Sequence, residues 1–154
     1  MQIKYFIQVK GSADTGKTST ITRTFLKILE LKQSKLEKIE TLGLGDFVAL
    51  ISAENKILAF ISCGDTENII EKNYNKLLKL SKTDIDILIL ATRTKGNTIN
   101  FWKAKLKENH KEGFDDILEN KEWFSPEKKK EISPYIEMQS NKLLEKIEKI
   151  LKGK

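Results

Sequence analysis

The spacing of hydrophobic positions along the chain changes between the period of a strand and the period of a helix. Residues 3–9 are apolar at every second position, whereas residues 18–31 repeat their apolar side chains at helical spacing. Largely apolar runs follow at 47–51, 57–62 and 85–91. Runs of this length predict buried strands, and the last is typical of a strand covered on both faces.

A hairpin is predicted where the runs at 47–51 and 57–62 lie close together, after a polar stretch that contains Gly43 and Gly45. A parallel return needs a crossover of about a dozen residues or more, so these strands must pair antiparallel. Residues 114–118 are a weaker candidate for a further core strand. Helical spacing returns in later segments: residues 69–78, a segment that starts near Thr98, and residues 143–151.

Strands that alternate with amphipathic helices predict an α/β fold. We expect residues 1–154 to form a single three-layer α/β/α domain, with a mostly parallel, about five-stranded sheet that includes one β-hairpin. The first strand should be central in this sheet. Lys4, Gln8 and Lys10 nevertheless make one of its faces partly polar, which the pattern alone does not explain.

The formal net charge of +6 raises the question of nucleic-acid binding, because basic side chains neutralise phosphates. Most of the positive charge is lysine interleaved with glutamate, which is typical of a solvated helix face with i,i+4 pairs. Arg23 and Arg93 are the only arginines, and residues 126–131 form the only local basic cluster. Nucleic-acid binding is therefore the remote alternative.

The sequence indicates a cytoplasmic protein with no membrane segment. No apolar stretch approaches the ~20 residues needed to cross a bilayer, and the start lacks the pattern of a signal peptide. Cys63 is the single cysteine, so an internal disulfide is excluded. It follows an apolar run, and we expect it in the core.

Residues 11–18, GSADTGKT, match the pattern G-x-x-x-x-G-K-[ST] at every required position, between a predicted strand and a predicted helix. Gly11 and Gly16 allow backbone angles that turn successive N–H groups toward a phosphate. The N–H groups and the dipole at a helix start also favour an anion. Lys17 would add a positive charge between the β- and γ-phosphates, and Thr18 a hydroxyl for Mg²⁺.

With this loop the chain resembles the P-loop NTPase superfamily. The resemblance implies a nucleoside triphosphate and Mg²⁺ as cofactors. The alternative is a plain glycine turn with a surface lysine, which the strand and helix context disfavours. The phosphate-binding residues implied are Gly11, Ser12, Ala13, Asp14, Thr15, Gly16, Lys17, Thr18 and Ser19.

A P-loop also needs an acid that holds Mg²⁺ through water, and we expect that acid after a strand beside the first one. Asp65 follows the run at 57–62 and is the predicted Walker B acid. The alternative is that Asp65 or Thr66 caps the next helix, and the two roles do not exclude each other. Glu67 is a weaker candidate for orienting a water or a hydroxyl; otherwise it is a first-turn glutamate that favours the helix dipole.

Residues 92–97, TRTKGN, are similar to the [NT]-K-x-D guanine motif of GTPases. Asn97 stands where that motif has a carboxylate, and an amide offers only one acceptor oxygen. ATP is therefore predicted over GTP. Arg93 and Lys95, in the same segment, resemble the cations that small P-loop kinases hold beside the transferred phosphoryl group.

Three functions remain open from the sequence. One is an ATP-dependent kinase of a small molecule or nucleotide, with Lys17, Asp65, Arg93 and Glu67 as catalytic residues and with Thr18 and Asp65 at the metal. Another is a regulatory, partner-activated NTPase or GTPase-like switch whose segment 43–45 moves with the nucleotide state. The third is the nucleic-acid-binding alternative. The sequence names neither the phosphoryl acceptor nor a protein partner.

Overall fold

The computed structural model describes residues 2–12, 15–43, 45–62, 67–93, 97–122 and 129–153. Strands and helices alternate over most of these ranges. In chain order the elements are β1 (Ile3–Lys10), α1 (Lys17–Leu29), β2 (Ser34–Gly43), β3 (Asp46–Ala53), β4 (Lys56–Ile61), α2 (Glu67–Leu80), β5 (Ile85–Thr92), α3 (Asn97–Glu108), β6 (Asp116–Glu119) and α4 (Lys129–Leu151).

The strands form one mixed six-stranded sheet in the order β2-β3-β4-β5-β1-β6. β4, β5, β1 and β6 run parallel to one another, whereas β2 and β3 pair antiparallel. The α/β class, the hairpin of β3 and β4 and the predominance of parallel strands are therefore confirmed. The strand count is six in the described ranges, where about five are predicted.

Helices lie on both faces of the sheet, which confirms the predicted layers. On one face, Phe25 of α1 shares a buried cluster with Ile147 of α4. On the other face, Ile70 and Leu77 of α2 share a second cluster with Trp102 of α3. The central strands are buried on both sides as a result, which explains their continuous apolar runs.

β2 corrects the expectation that the residues before β3 form a polar connection. It is an edge strand on which Leu36 and Ile39 are 39% and 45% exposed. The pairing with β3 contains a bulge between Leu36 and Lys38. Because a bulge adds one residue, Leu36 and Ile39 share a face although they are three apart in sequence. The strand has neither a buried face nor a regular alternation, so its period is hidden in the sequence.

β1 occupies the predicted interior position, between β5 and β6, and two of its polar side chains have partners on β5. Gln8 is buried, and its Nε2 donates a hydrogen bond to Thr92 Oγ1 on β5 at 2.6 Å. Lys4 Nζ lies 3.3 Å from a carboxylate oxygen of Asp86, also on β5. Cross-strand partners thus explain Lys4 and Gln8, two of the three polar residues that the sequence pattern leaves unexplained.

α4 is longer than the predicted segment 143–151 and continues through Pro134 to begin at Lys129. Its first half buries Gln139 and Ser140 along with Ile136, so the apolar stripe that marks its second half is interrupted there. Among the described residues, no helix combines the length and the apolar character needed to span a membrane.

Candidate functional site

The glycine loop of residues 11–16 joins the end of β1 to the start of α1, at the edge of the sheet where the parallel strands end. Gly16 has φ of 76°, in the left-handed region that favours glycine. Gly11 is required by a close approach, because a Cβ there would lie 2.4 Å from Thr15 Oγ1 and 2.7 Å from the carbonyl oxygen of Asn120. The two glycines thus serve two different physical needs in one turn.

Lys17 is the first residue of α1 and is buried, with 8% of its surface exposed. Its Nζ donates hydrogen bonds to the carbonyl oxygens of Gly11 at 2.8 Å and Thr92 at 3.2 Å. The backbone N–H of Gly11 donates to the same Thr92 carbonyl at 3.2 Å. The ammonium group therefore lies where β1 and β5 end, directly beside the loop.

Thr18 points toward β3 and β4. Its hydroxyl donates to the carbonyl oxygen of Ser62 at 3.0 Å, and Asp46 Oδ1 lies 3.5 Å from the same hydroxyl. Ser62 Oγ is 3.4 Å from this carboxylate oxygen and accepts a hydrogen bond from the N–H of Phe47 at 2.8 Å. A carboxylate that sequence reasoning missed is thus brought to the predicted metal-binding threonine.

Asp46 reaches this edge because β3 runs antiparallel to its neighbour β4. The first residue of β3 therefore lies at the same edge as the last residues of β4 and β5. The signal in the sequence is an acid directly after Gly45 and directly before the apolar run of the hairpin. The sequence pattern alone does not indicate which edge of the sheet this residue would occupy.

The remaining loop residues differ in exposure. Thr15 is buried, and its hydroxyl donates to the carbonyl oxygen of Ser12 at 2.8 Å. Ser12 and Ser19 are exposed. The predicted phosphate-binding residues Ala13 and Asp14 lie outside the described residues.

The predicted Walker B acid, Asp65, lies outside the described residues, as do Cys63 and Thr66. The strand that precedes it, β4, pairs with β3 and β5 and not with β1. The expectation that the acid follows a strand beside the first strand is therefore wrong, because β5 is inserted between β1 and β4. Glu67 is the exposed first residue of α2, and no hydrogen bond within the described part of the chain joins it to the loop.

Arg93 directly follows Thr92, whose carbonyl oxygen accepts hydrogen bonds from Gly11 and Lys17. It is partly buried and lies at the same edge of the sheet as the glycine loop. Lys95 lies outside the described residues, and Asn97 begins α3. The backbone at Arg93 therefore continues from the strand end that contacts the loop, and a role of its side chain at a phosphate stays a prediction.

Asn120 is a second residue that sequence reasoning missed. It is 2% exposed and directly follows β6. Its Nδ2 donates to the carbonyl oxygen of Thr15 at 2.9 Å and lies 3.1 Å from Thr20 Oγ1. Its Oδ1 accepts a hydrogen bond from Gln139 Nε2 of α4 at 2.8 Å. One side chain therefore joins the loop, α1 and α4.

An open cavity of about 360 Å³ lies on the β6 side of the loop. Its lining residues are Lys10, Gly11, Ser12, Glu119, Asn120 and Lys121. Another cavity, of about 320 Å³, lies at the opposite edge of the sheet and is lined by residues such as Leu31, Ala53 and Leu151. Ligands of open α/β sheets bind at the carboxyl ends of the strands, which favours the cavity beside the loop.

The side chains that would meet a metal ion form a small set of oxygens. No group of three or more His, Cys, Asp and Glu residues in the described ranges could hold a metal ion by itself. Thr18 and Asp46 supply a hydroxyl and a carboxylate, which are ligands that Mg²⁺ accepts together with water and phosphate oxygens. The donor set therefore fits Mg²⁺ bound along with a phosphate ligand.

The comparisons with protein-family models, with curated proteins and with solved structures find no match for this chain. Its function therefore has to be inferred from the loop and the residues around it.

Proposed function

We propose that this chain is a P-loop protein that binds ATP with Mg²⁺ and uses it in phosphoryl transfer or hydrolysis. The observation that carries the proposal is a juxtaposition at one sheet edge. Gly11, Lys17 and Thr18 match the motif in sequence, and they meet where a left-handed glycine starts α1 at the carboxyl ends of the parallel strands. An anion bound there would meet the helix dipole and the lysine charge together.

The phosphate groups would be held by backbone N–H groups of the loop and of the first turn of α1. Helices leave their first N–H groups without partners inside the helix, and these groups bind phosphate oxygens well. Lys17 adds a positive charge that is already buried beside the loop. Charge-assisted contacts of this kind are about twice as strong as neutral hydrogen bonds.

Mg²⁺ would be held at the Thr18 side of the loop. This metal ion neutralises charge on the β- and γ-phosphates when it is bound. Thr18 offers its hydroxyl, and Asp65 remains the proposed Walker B acid. Arg93 would contact the transferred phosphoryl group from the end of β5, with Lys95 nearby in sequence, and Glu67 would orient the attacking water or hydroxyl.

The two sides of the loop suggest the orientation of the nucleotide. Thr18 contacts Ser62 after β4, whereas Thr15 contacts Asn120 after β6. If the terminal phosphates and the metal lie on the Thr18 side, the ribose and base extend toward the cavity of about 360 Å³ beside β6. ATP is the proposed nucleotide, because Asn97 replaces the carboxylate that GTPases use to bind guanine.

A regulatory NTPase is the second candidate, and one observation favours it. Asp46 directly follows the segment 43–45 that joins β2 to β3, and its carboxylate lies 3.5 Å from the Thr18 hydroxyl. A ligand that changes contacts at Thr18 would therefore also act on the β2–β3 connection. Ordering of such segments by the γ-phosphate is an established kind of nucleotide switch.

Turnover measurements test the proposal. The purified protein is incubated with ATP or GTP and Mg²⁺, alone and with pooled metabolites, and both released phosphate and phosphorylated products are measured. We expect ATP-dependent product that falls by about 10²–10³-fold in Lys17→Ala, since an electrostatic clamp of the transition state is removed.

The form of the product separates the two candidates. A phosphorylated metabolite supports a kinase, and slow phosphate release without an acceptor supports the regulatory NTPase. Turnover in Lys17→Ala equal to that of the wild type would contradict phosphoryl transfer at this loop.

A further inference from the structure

We infer that Asp46 is a metal-binding carboxylate, which holds Mg²⁺ together with Thr18 when a nucleoside triphosphate is bound. The inference rests on the proposed function and assigns a residue that the phosphate-loop motif does not include. The first observation behind the inference is the distance of 3.5 Å between Asp46 Oδ1 on β3 and Thr18 Oγ1 on α1.

The separation of the two oxygens suits a shared cation. Mg²⁺ binds oxygen ligands at about 2.0–2.1 Å in octahedral geometry, so neighbouring ligands lie about 3 Å apart. The observed separation of 3.5 Å is close to this value. The two oxygens are therefore near enough to bind one ion, either both directly or one of them through a water.

The backbone around Asp46 is fixed in place by its neighbours. Phe47 and Ser62 exchange hydrogen bonds, with Ser62 N donating to the Phe47 carbonyl oxygen at 3.1 Å and Phe47 N donating to Ser62 Oγ at 2.8 Å. The Ser62 carbonyl oxygen also accepts from the Thr18 hydroxyl at 3.0 Å. The carboxylate and the hydroxyl are thus held in one frame that joins β3, β4 and α1.

The contacts of Asp46 do not by themselves account for a negative charge at this position. Its oxygen lies 3.4 and 3.5 Å from two hydroxyls, whereas O–H···O hydrogen bonds are usually about 2.7–2.8 Å long. Within the described part of the chain, Asp46 forms no ion pair. A carboxylate at the terminal-phosphate end of the loop would repel a bare nucleotide, and a divalent cation between them would reverse the sign of this interaction.

The competing explanation is that Asp46 only accepts hydrogen bonds that stabilise the β3–β4 corner. Asp46→Asn separates the two explanations, because asparagine keeps an acceptor oxygen and loses the charge. A metal ligand predicts an effect that depends on Mg²⁺. A purely structural acceptor predicts the same effect with and without the metal.

The test measures the affinity for ATP by calorimetric titration, once with Mg²⁺ and once with EDTA, for the wild type and three variants. Asp46→Asn should weaken binding of Mg-ATP by about 10- to 100-fold, as loss of groups that support a metal site typically does. In EDTA the same variant should bind ATP as tightly as the wild type or more tightly. Asp65→Asn tests the alternative acid, and Asp116→Asn on β6, which pairs with Lys146, is the matched control with the same charge change.

The outcomes separate failure of this inference from failure of the proposed function. Equal Mg-ATP affinity in Asp46→Asn and the wild type, or equal weakening with Mg²⁺ and with EDTA, overturns the role of Asp46 and leaves the nucleotide site standing. Loss of the Mg²⁺ effect in Asp65→Asn alone also overturns it. No ATP binding by the wild type overturns the proposed function itself. If Asp46→Asn does not fold, Asp46→Glu keeps the charge and must retain a preference for Mg-ATP.

Discussion

The side-chain amide of Asn120 donates a hydrogen bond to the carbonyl oxygen of Thr15, 2.9 Å away. The same amide nitrogen lies 3.1 Å from the Thr20 hydroxyl of α1, and its oxygen accepts from Gln139 of α4 at 2.8 Å. The shape of the glycine loop therefore depends on a residue more than a hundred positions away, at the end of β6. Removing that residue should change both stability and ligand binding.

Asn120→Ala should lower the free energy of unfolding by about 1–3 kcal/mol, because it removes the amide that donates to the buried Thr15 carbonyl oxygen and accepts from Gln139. Chemical denaturation measures this change. Asn100→Ala, at an exposed position of α3, is the matched control and should stay within about 0.5 kcal/mol of the wild type. Equal stability of the two variants would show that the hydrogen bonds of Asn120 do not hold the loop.

Gly11→Ala should destabilise the protein by about 1–3 kcal/mol, the typical effect of an overpacked buried site. The added methyl group would lie 2.7 Å from the backbone oxygen of Asn120, which cannot move as easily as a side chain end. Gly113→Ala is the control, since a Cβ at Gly113 meets no atom within 4 Å. Melting curves of the two variants check the prediction, and a wild-type curve for Gly11→Ala would contradict the close packing of the loop.

Arg93→Lys should lower turnover while the ATP affinity and the melting temperature stay close to the wild type. Lysine keeps the charge at the end of β5 but lacks the planar fork that holds two phosphate oxygens at once. Steady-state kinetics with ATP, together with a binding titration, distinguish a change in kcat from a change in affinity. Unchanged turnover would remove Arg93 from the proposed active site.

Glu137 gives the stability of the α1–α4 contact a dependence on pH. The hydrogen bond from Lys27 is the largest effect on Glu137 and lowers its pKa below the ordinary value. Desolvation, the second-largest effect, opposes this shift, whereas the charges of Lys27 and Arg23 and a hydrogen bond from Arg23 reinforce it. Because the pKa of Glu137 is lower in the folded state, the ionised carboxylate stabilises the fold at pH values above its unfolded-state pKa of about 4.3. This stabilisation is lost as the pH falls through the folded-state pKa.

The melting temperature of Glu137→Gln should therefore lie below that of the wild type at pH 7, and the difference should shrink between about pH 5 and pH 3. Melting curves across this range measure it. Glu71→Gln, an exposed position on α2, serves as the control with the same change of charge. A difference for Glu137→Gln that stays constant with pH would mean that the ion pairs contribute nothing.

The sequence predicts the elements in which the hydrophobic positions coincide with the buried positions. β5 appears as a continuous apolar run because its neighbours and the helices cover both of its faces, and β1 shows a period of two because polar side chains alternate with buried ones over part of its length. The loop of residues 11–18 shows its motif because Gly11 and Gly16 meet separate steric requirements. The alternation of strands with helices then determines the α/β class. The hairpin follows from the short connection between β3 and β4 alone, since a parallel crossover does not fit in so few residues.

The features that the sequence does not predict depend on the order of the strands in space. β4 and β5 both appear as buried apolar runs, so nothing in their composition indicates that β5 is the one that pairs with β1. The meeting of Asp46 with Thr18 depends on that order and on the antiparallel direction of β3. β2 is missed for a different reason, because an exposed edge strand with a bulge has no period to detect.

Calorimetric titration of Mg-ATP into the wild type and into Lys17→Ala tests the central claim, that the glycine loop binds nucleotide phosphates. We predict saturable binding at one site in the wild type, and affinity weaker by at least about tenfold in Lys17→Ala, because a hydrogen bond to a charged group contributes about 1.5–3 kcal/mol. Lys103→Ala, which removes a lysine from an exposed position of α3, should bind like the wild type. No binding by the wild type at millimolar ATP, or equal affinity in a folded Lys17→Ala, would contradict the claim.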